Sequence, residues 1–374
     1  MSAERFVEPR RIPELDGLRG LACLTVVLFH YVYMTVPATA PRPGLLVARL
    51  FGLGWAGVDL FFVLSGFLLG GILIDSRDSP RFFTTFYARR CFRIFPLYFA
   101  WVAAFLVLRG FSGWPPGLFD DSMPPWAYLF YLQNFFDAAN GHWGAYWMTI
   151  TWSLAIEEQF YLILPALILV VSPHRLPGVL VLLIGSAVVL RYCLSLMLPN
   201  HGLATYTLLP CRWDALFVGV LAAWAVRHSR AGAFLRSNVW FMRLALVEFG
   251  LLAVVMLRRA PAHNSVVARE FGYTLIAGGC VCLLLLTLYD PSVSRLFRFR
   301  PLMALGAISY GVYVIHPVAN WLSHWWLRRD LPKVSSWREA AVMAFAFGAT
   351  LLLASASYRF FERPLVRLGH RWRY

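Results

Sequence analysis

A bundle of membrane-spanning α-helices is the fold class that three observations predict. Of the residues, 59% are hydrophobic and only 14% charged, against about 45–50% and about 25% in ordinary soluble domains. The apolar residues run in stretches near the ~20 residues a helix needs to cross a bilayer, and the mean hydropathy is +0.62. No succession of ~10-residue alternating segments, the mark of a membrane β-barrel, is present. The expectation is an all-α, polytopic bundle of about ten spans forming one integral-membrane domain over residues 1–374.

Ten spans fit the hydropathy, at about 18–36, 53–74, 94–109, 149–171, 177–198, 205–226, 244–257, 270–289, 302–322 and 339–358. The third and seventh are short, and Trp126–Phe136 reads as a partial or interfacial helix. Basic residues in the connecting segments are biased about two to one toward the side of the N-terminus, which places both termini in the cytoplasm. Arg258-Arg259 and Arg328-Arg329 run against that bias. The polar N-terminal stretch lacks a cleavable signal peptide, so the first apolar run doubles as the first span.

The net charge of +15 does not indicate nucleic acid, because 33 of the 34 basic residues are Arg and lie scattered between apolar segments. The six cysteines sit mostly inside apolar runs, and Cys280-x-Cys282 lacks zinc spacing. They read as core residues, and no metal is expected.

Span by span, the internal polar residues stand out. The first span opens with Glu14-Leu15-Asp16-Gly17-Leu18-Arg19-Gly20 and carries His30. At about 1.5 Å per residue, Arg19 and His30 lie roughly 16 Å apart along the axis. An ionisable residue at that depth points to function, and the near-neutral pKa of imidazole suits His30 to take a proton from a hydroxyl. The second span opens with Asp59, read as a helix-dipole or capping residue, and carries Ser65, Gly66 and Gly70, the glycines spaced as in helix-packing faces. The third is entered through Arg89, Arg90 and Arg93. Arg90 and Arg93 share one helix face, where they would anchor to anionic lipid or hold a phosphate.

In the fourth span Ser153, Glu157 and Tyr161 form an i, i+4, i+8 stripe, with Glu158 about 100° away. Glu157 would orient His30 or pair with Arg212. Arg191, Arg212 and Asp214 read as parts of a buried ion-pair network, and Glu248 stands isolated in the seventh span. The ninth span places His316 directly before Pro317. Glu362, at the end of the tenth, would pair with Arg19 or another cytoplasmic Arg. The 110–148 connection is rich in Pro, Gly and aromatic residues, has Asp120, Asp121 and Asp137, and would either cover a polar-substrate site or form an interfacial aromatic belt.

Taken in order, LDGLRG with Arg19-x10-His30, GVDLFFVLSGF, ARRCFRIFPLY, TWSLAIEEQFYLILP, RWDALFVG, ISYGVYVIHP and SYRFFERP resemble the membrane acyltransferase type 3 family, polytopic enzymes of bacterial cell-surface O-acylation. The match runs through nearly the whole chain. The resemblance implies a multi-pass protein of the bacterial inner membrane that transfers an acyl group, usually acetyl, from cytoplasmic acyl-CoA. The acceptor would be a hydroxyl of a carbohydrate, a lipid-linked glycan or a small molecule. By this likeness His30 matches the family's essential histidine, Arg19 its paired arginine, and Arg90 and Arg93 its Arg-x-x-Arg element for the acyl-CoA donor. Many relatives carry a fused C-terminal periplasmic SGNH domain, and the sequence is expected to hold none.

The expected site is therefore His30 as general base with Glu157 as a catalytic partner, and Arg19, Arg90 and Arg93 as donor-binding residues. The partners are membrane lipid and a glycan or small-molecule acceptor, without nucleic acid. A transporter or flippase of acylated sugars or lipids would also use intramembrane His, Glu and Arg. Transporters commonly show internal repeats, and no repeat stands out.

Overall fold

The computed structural model describes residues 12–40, 42–198, 202–259 and 271–374, with backbone alone at 253 and 256–259. The polar N-terminal stretch and the side chains of Arg258 and Arg259 lie outside the described residues. Every regular element among those described is helical. Among the described residues, ten long helices overlap the stretches expected as spans, though not all ten qualify as spans: α1 (Pro13–Leu28), α2 (Gly57–Asp75), α3 (Phe82–Leu108), α4 (Thr151–Val170), α5 (Leu176–Met197), α6 (Leu209–Arg227), α7 (Val239–Arg259), α8 (Tyr273–Tyr289), α9 (Ser309–Arg328) and α10 (Trp337–Ser357).

Among the described residues, 7 helical segments are long and apolar enough to cross a membrane, or up to 9 if each of two bent pairs is one span. The first bend, 100° after α8, follows from local chemistry. Asp290 accepts from the Ser292 N–H and Pro291 occupies the first turn, a combination that starts a new helix at Pro291–Phe297. The second bend, 79°, separates Arg300–Ala307 from α9, so the expected 302–322 span is broken rather than straight.

Two further expectations are corrected. The third span is not short: α3 is a continuous 27-residue helix, so Arg89, Arg90 and Arg93 project from the same rod that carries the apolar segment. Trp126–Phe136 is not one partial helix but parts of two, Pro125–Leu129 and Gln133–Asn140, interrupted where Tyr131 adopts φ +55°.

Close backbone approach sets the framework. A Cβ on Gly20 would lie 2.0 Å from the Leu302 carbonyl oxygen, which is how α1 seats itself against the Arg300–Ala307 segment. A Cβ on Gly66 would lie 1.9 Å from the Leu216 carbonyl oxygen, and one on Gly219 2.2 Å from that of Val63. Hence α2 and α6 meet nearly backbone to backbone, as the small-residue spacing predicts.

The buried charges pair differently from the expected pattern. Asp59 is not a cap; its Oδ1 lies 2.6 Å from Arg212 Nη2, and both side chains are wholly buried. Asp214 pairs instead with Arg191 at 3.0 Å and accepts from the Thr274 hydroxyl at 2.5 Å. With Arg212 committed to Asp59 and lying 4.0 Å over the Tyr273 ring, its expected pairing with Glu157 does not occur. Glu14 accepts from Arg298 Nε at 2.6 Å, and Glu362 accepts from Ser357 at 2.8 Å while Arg19 bonds Asp16.

α1 and α9 run side by side in the same direction. Cys23 lies against the Ser309 carbonyl at 3.8 Å, and further along Tyr31 donates to the His316 carbonyl at 2.8 Å. The 110–148 connection folds over the C-terminal half of α9, with the Tyr146 and Trp321 rings tilted by 47° and their centroids 3.7 Å apart. Its carboxylates fold the connection itself: Asp120 accepts from Gly117 N–H, Asp121 from Met123 N–H and Tyr128 OH, and Asp137 from Gly144 N–H.

Candidate active site

One cavity of about 840 Å³, part of it open to solvent, lies among α1, α2, α3, α4 and α9. Arg19 of α1, Arg90 and Arg93 of α3 and Glu157 of α4 all line it. Residues scattered over nearly 140 positions of sequence thus converge on one space. The i, i+3 spacing that puts Arg90 and Arg93 on one face turns both toward it, and the Ser153–Glu157–Tyr161 stripe supplies the opposite polar wall.

The polar groups are joined in short chains. Tyr161 OH lies 2.9 Å from Glu157 Oε2 and 3.0 Å from Ser65 Oγ, which gives Ser65 a hydrogen-bonding role in the wall. Tyr313 OH lies 2.6 Å from Ser153 Oγ, and Tyr310 donates to the Ile94 carbonyl at 2.9 Å. Arg19 Nη1 bonds Asp16 Oδ1 at 3.0 Å. Arg90 and Arg93 make no hydrogen bond or ion pair to any described residue. Both lie close enough to act electrostatically on Arg19 and Glu157. The mouth holds three guanidinium groups, with Asp16 on Arg19 and Glu157 and Glu158 near Arg90, while Val58, Phe61, Phe62 and Leu64 make the inner wall apolar. A guanidinium is a forked donor matched to phosphate oxygens. This space can therefore hold an anionic head group with a less polar tail directed inward.

His30 is not among the residues lining the cavity. It sits in a single π-helical turn, Phe29–Tyr33, that ends the first span; such turns recur where a helix presents a functional side chain. Its Nδ1 lies 3.0 Å from the Val26 carbonyl oxygen and 3.1 Å from His316 Nε2, with the rings 5.0 Å apart. The structure therefore brings Arg19, Arg90, Arg93 and Glu157 together, and places His30 beside a second histidine. Tyr313 connects the two regions: it lines the cavity and its ring lies 6.0 Å from that of His316. Glu157 bonds Tyr161 at the cavity, so the ring packed against His30 is that of His316.

Sequence reading identified His316 but gave it no part. A signal was present, because His316, Asn320 and His324 recur at i, i+4, i+8 and all three are fully buried. Glu158 turns away from the stripe as its helical phase requires, and its Oε1 is buried without a hydrogen-bond partner. No group of three or more His, Cys, Asp or Glu that could hold a metal ion occurs among the described residues.

The model of a family described as an acyltransferase domain matches residues 12–359. The chain is 26% identical over 383 residues to the peptidoglycan O-acetyltransferase OatA of Listeria monocytogenes, an alignment covering 96% of this chain and 56% of that protein. It is 23% identical over 386 residues to the O-acetyltransferase OatA of Staphylococcus aureus, covering 98% of this chain and 59% of that protein. The chain thus spans less than two thirds of the length of these relatives. No solved structure matches it.

Proposed function

The chain belongs to the acyltransferase-domain family, and on that premise we propose that it is an O-acyltransferase of a bacterial inner membrane, moving an acetyl group from cytoplasmic acetyl-CoA to a hydroxyl of a cell-surface glycan. One observation carries the reading. Arg90 and Arg93 line a cavity beside Arg19, and their side chains form no hydrogen bond or ion pair with any described residue. Two half-buried guanidinium groups that no hydrogen bond holds keep their donors available to an anionic ligand. The phosphates of acyl-CoA fit the forked donors, and the apolar inner wall suits the pantetheine arm. The choice of a glycan as acceptor is supported by the Listeria relative, which is named a peptidoglycan O-acetyltransferase.

His30 acts as general base. Its ring takes the proton of the acceptor hydroxyl as that oxygen attacks the thioester carbonyl; the C–S bond breaks, and the proton passes from the imidazolium to the departing thiolate, giving the ester and free CoA. Glu157, held by Tyr161, offsets part of the cavity's positive charge and keeps the mouth from binding anions too tightly to release them.

The test uses the full chain in nanodiscs, with acetyl-CoA as donor, soluble peptidoglycan fragments as acceptor and free CoA as the readout. Acceptor-dependent CoA release that disappears in His30→Ala supports the reading. The pair Arg90→Ala/Arg93→Ala should raise KM for acetyl-CoA by at least about tenfold, roughly the loss of one charge-assisted hydrogen bond. Full activity in His30→Ala would remove the base assignment, and an unchanged KM in the arginine pair would remove the donor site.

A further inference from the structure

We propose that His316 is a positioning residue that fixes the tautomer of His30, so that Nε2 of His30 is the nitrogen that accepts the proton. The inference rests on reading His30 as the base and assigns the atom and the device behind it.

The device begins with a proline. Pro317 lies inside α9 and has no N–H, so the carbonyl of Tyr313, four residues earlier, loses the donor a helix would give it. A buried carbonyl left without a donor costs free energy. His316 Nδ1 lies 2.8 Å from that Tyr313 oxygen and 3.1 Å from the Val312 oxygen. A carbonyl oxygen only accepts, so the His316 proton is on Nδ1. In the neutral ring Nε2 is then an acceptor. The adjacent His-Pro pair thereby sets the state of one imidazole by backbone chemistry alone.

The same logic passes to the next ring. His316 Nε2, an acceptor, lies 3.1 Å from His30 Nδ1, and the Val26 carbonyl, also an acceptor, lies 3.0 Å from the same nitrogen. Both contacts require His30 to carry its proton on Nδ1. Its lone pair is then on Nε2. When Nε2 takes a proton, the Nδ1–H becomes a stronger donor, and the His316 acceptor is already placed to receive it, as a second ring nitrogen's partner does for other functional histidines. The π-helical turn at Phe29–Tyr33 and the bond from Tyr31 OH to the His316 carbonyl, 2.8 Å, hold the two helices in that register.

The test compares His316→Gln, whose side-chain oxygen can reach the position of Nε2 and accept, with His316→Phe, which fills the space and cannot. In nanodiscs with acetyl-CoA, His316→Phe should lower kcat roughly 10–100-fold with KM for acetyl-CoA unchanged, and His316→Gln should restore most of it. Histidine-labelled ¹⁵N NMR of the full wild-type chain, with the His30 signals assigned by their loss in His30→Asn, gives a reading independent of turnover. It should show the Nδ1–H form of His30. An Nε2–H form, or Gln and Phe variants with equal kcat, overturns the inference while His30→Ala can remain inactive. An active His30→Ala overturns the base assignment itself, whatever tautomer is observed.

Discussion

At the scale of single residues, Asp137 shows how burial outside the spans sets a pH response. Its carboxyl is 3% exposed in the 110–148 connection. Burial pushes its pKa up to about 7; the nearby Asp121 charge adds to the rise, and the Gly144 N–H bond opposes it. An unfolded Asp titrates near 3.9. Between those values the folded chain holds a proton that the unfolded chain has released, so the folded state binds more protons and stability falls as pH rises. The contribution is present below about pH 4 and lost by about pH 7, on the order of 4 kcal/mol across the window. Asp137→Asn keeps an acceptor for Gly144 and removes the charge. Thermal melting of the two proteins in detergent should therefore give similar midpoints near pH 4 and a variant that is the more stable by pH 7.5. A difference independent of pH would refute the assignment.

At the scale of elements, the crossing of α2 and α6 depends on an absent side chain. With a Cβ at Gly66 only 1.9 Å from the Leu216 carbonyl, Gly66→Ala must push two backbones apart, since neither contact atom is a flexible side-chain end. Overpacking of this kind costs about 1–3 kcal/mol, and the displacement would also shift Ser65 against Tyr161, one turn of the cavity wall. Gly185 in α5 offers the contrast, having nothing within 4 Å of its would-be Cβ. Gly185→Ala should be neutral or raise stability by about 1 kcal/mol through helix propensity. Melting of both variants checks the pair; a Gly66→Ala protein as stable as the native one would mean that the helices separate freely.

At the scale of the molecule, buried ions join distant segments. The Asp59–Arg212 bond ties α2 to α6, and Arg191–Asp214 ties α5 to α6, with Thr274 adding α8. Removing one member of such a pair strands its partner, at a cost of about 3–5 kcal/mol, whereas replacing both with apolar residues of similar size is often neutral. Arg212→Met should therefore destabilise strongly, and Asp59→Leu/Arg212→Met should recover most of the loss in urea or thermal unfolding. If the double variant is as unstable as the single one, the pair contributes through its other contacts, such as Arg212 over Tyr273. Because both residues lie outside the cavity lining, the recovered protein should also keep its KM for acetyl-CoA.

Much of this was legible from the chain alone, because the signals are local. Hydropathy located every long helix, helical phase put Glu157 with Ser153 and Tyr161 and turned Glu158 away, and the Gly66 spacing announced a close crossing. Resemblance suggested a donor role for Arg90 and Arg93 and paired Arg19 with His30, but it did not bring Glu157 to the arginines, since no short-range rule says which helices enclose a common space. The choice of partners among buried charges was also beyond the sequence. Arg212 had Asp214 two positions away and Glu157 in another span, yet packing of α2 against α6 gave it Asp59. His316 lies between the two cases: its His-Pro dipeptide already implies a freed carbonyl, and the fold turns the imidazole onto it. Only the parallel packing of α1 on α9 decided that the imidazole so fixed would stand 3.1 Å from His30, because contact between residues 286 positions apart is set by the fold and not by neighbours in the chain.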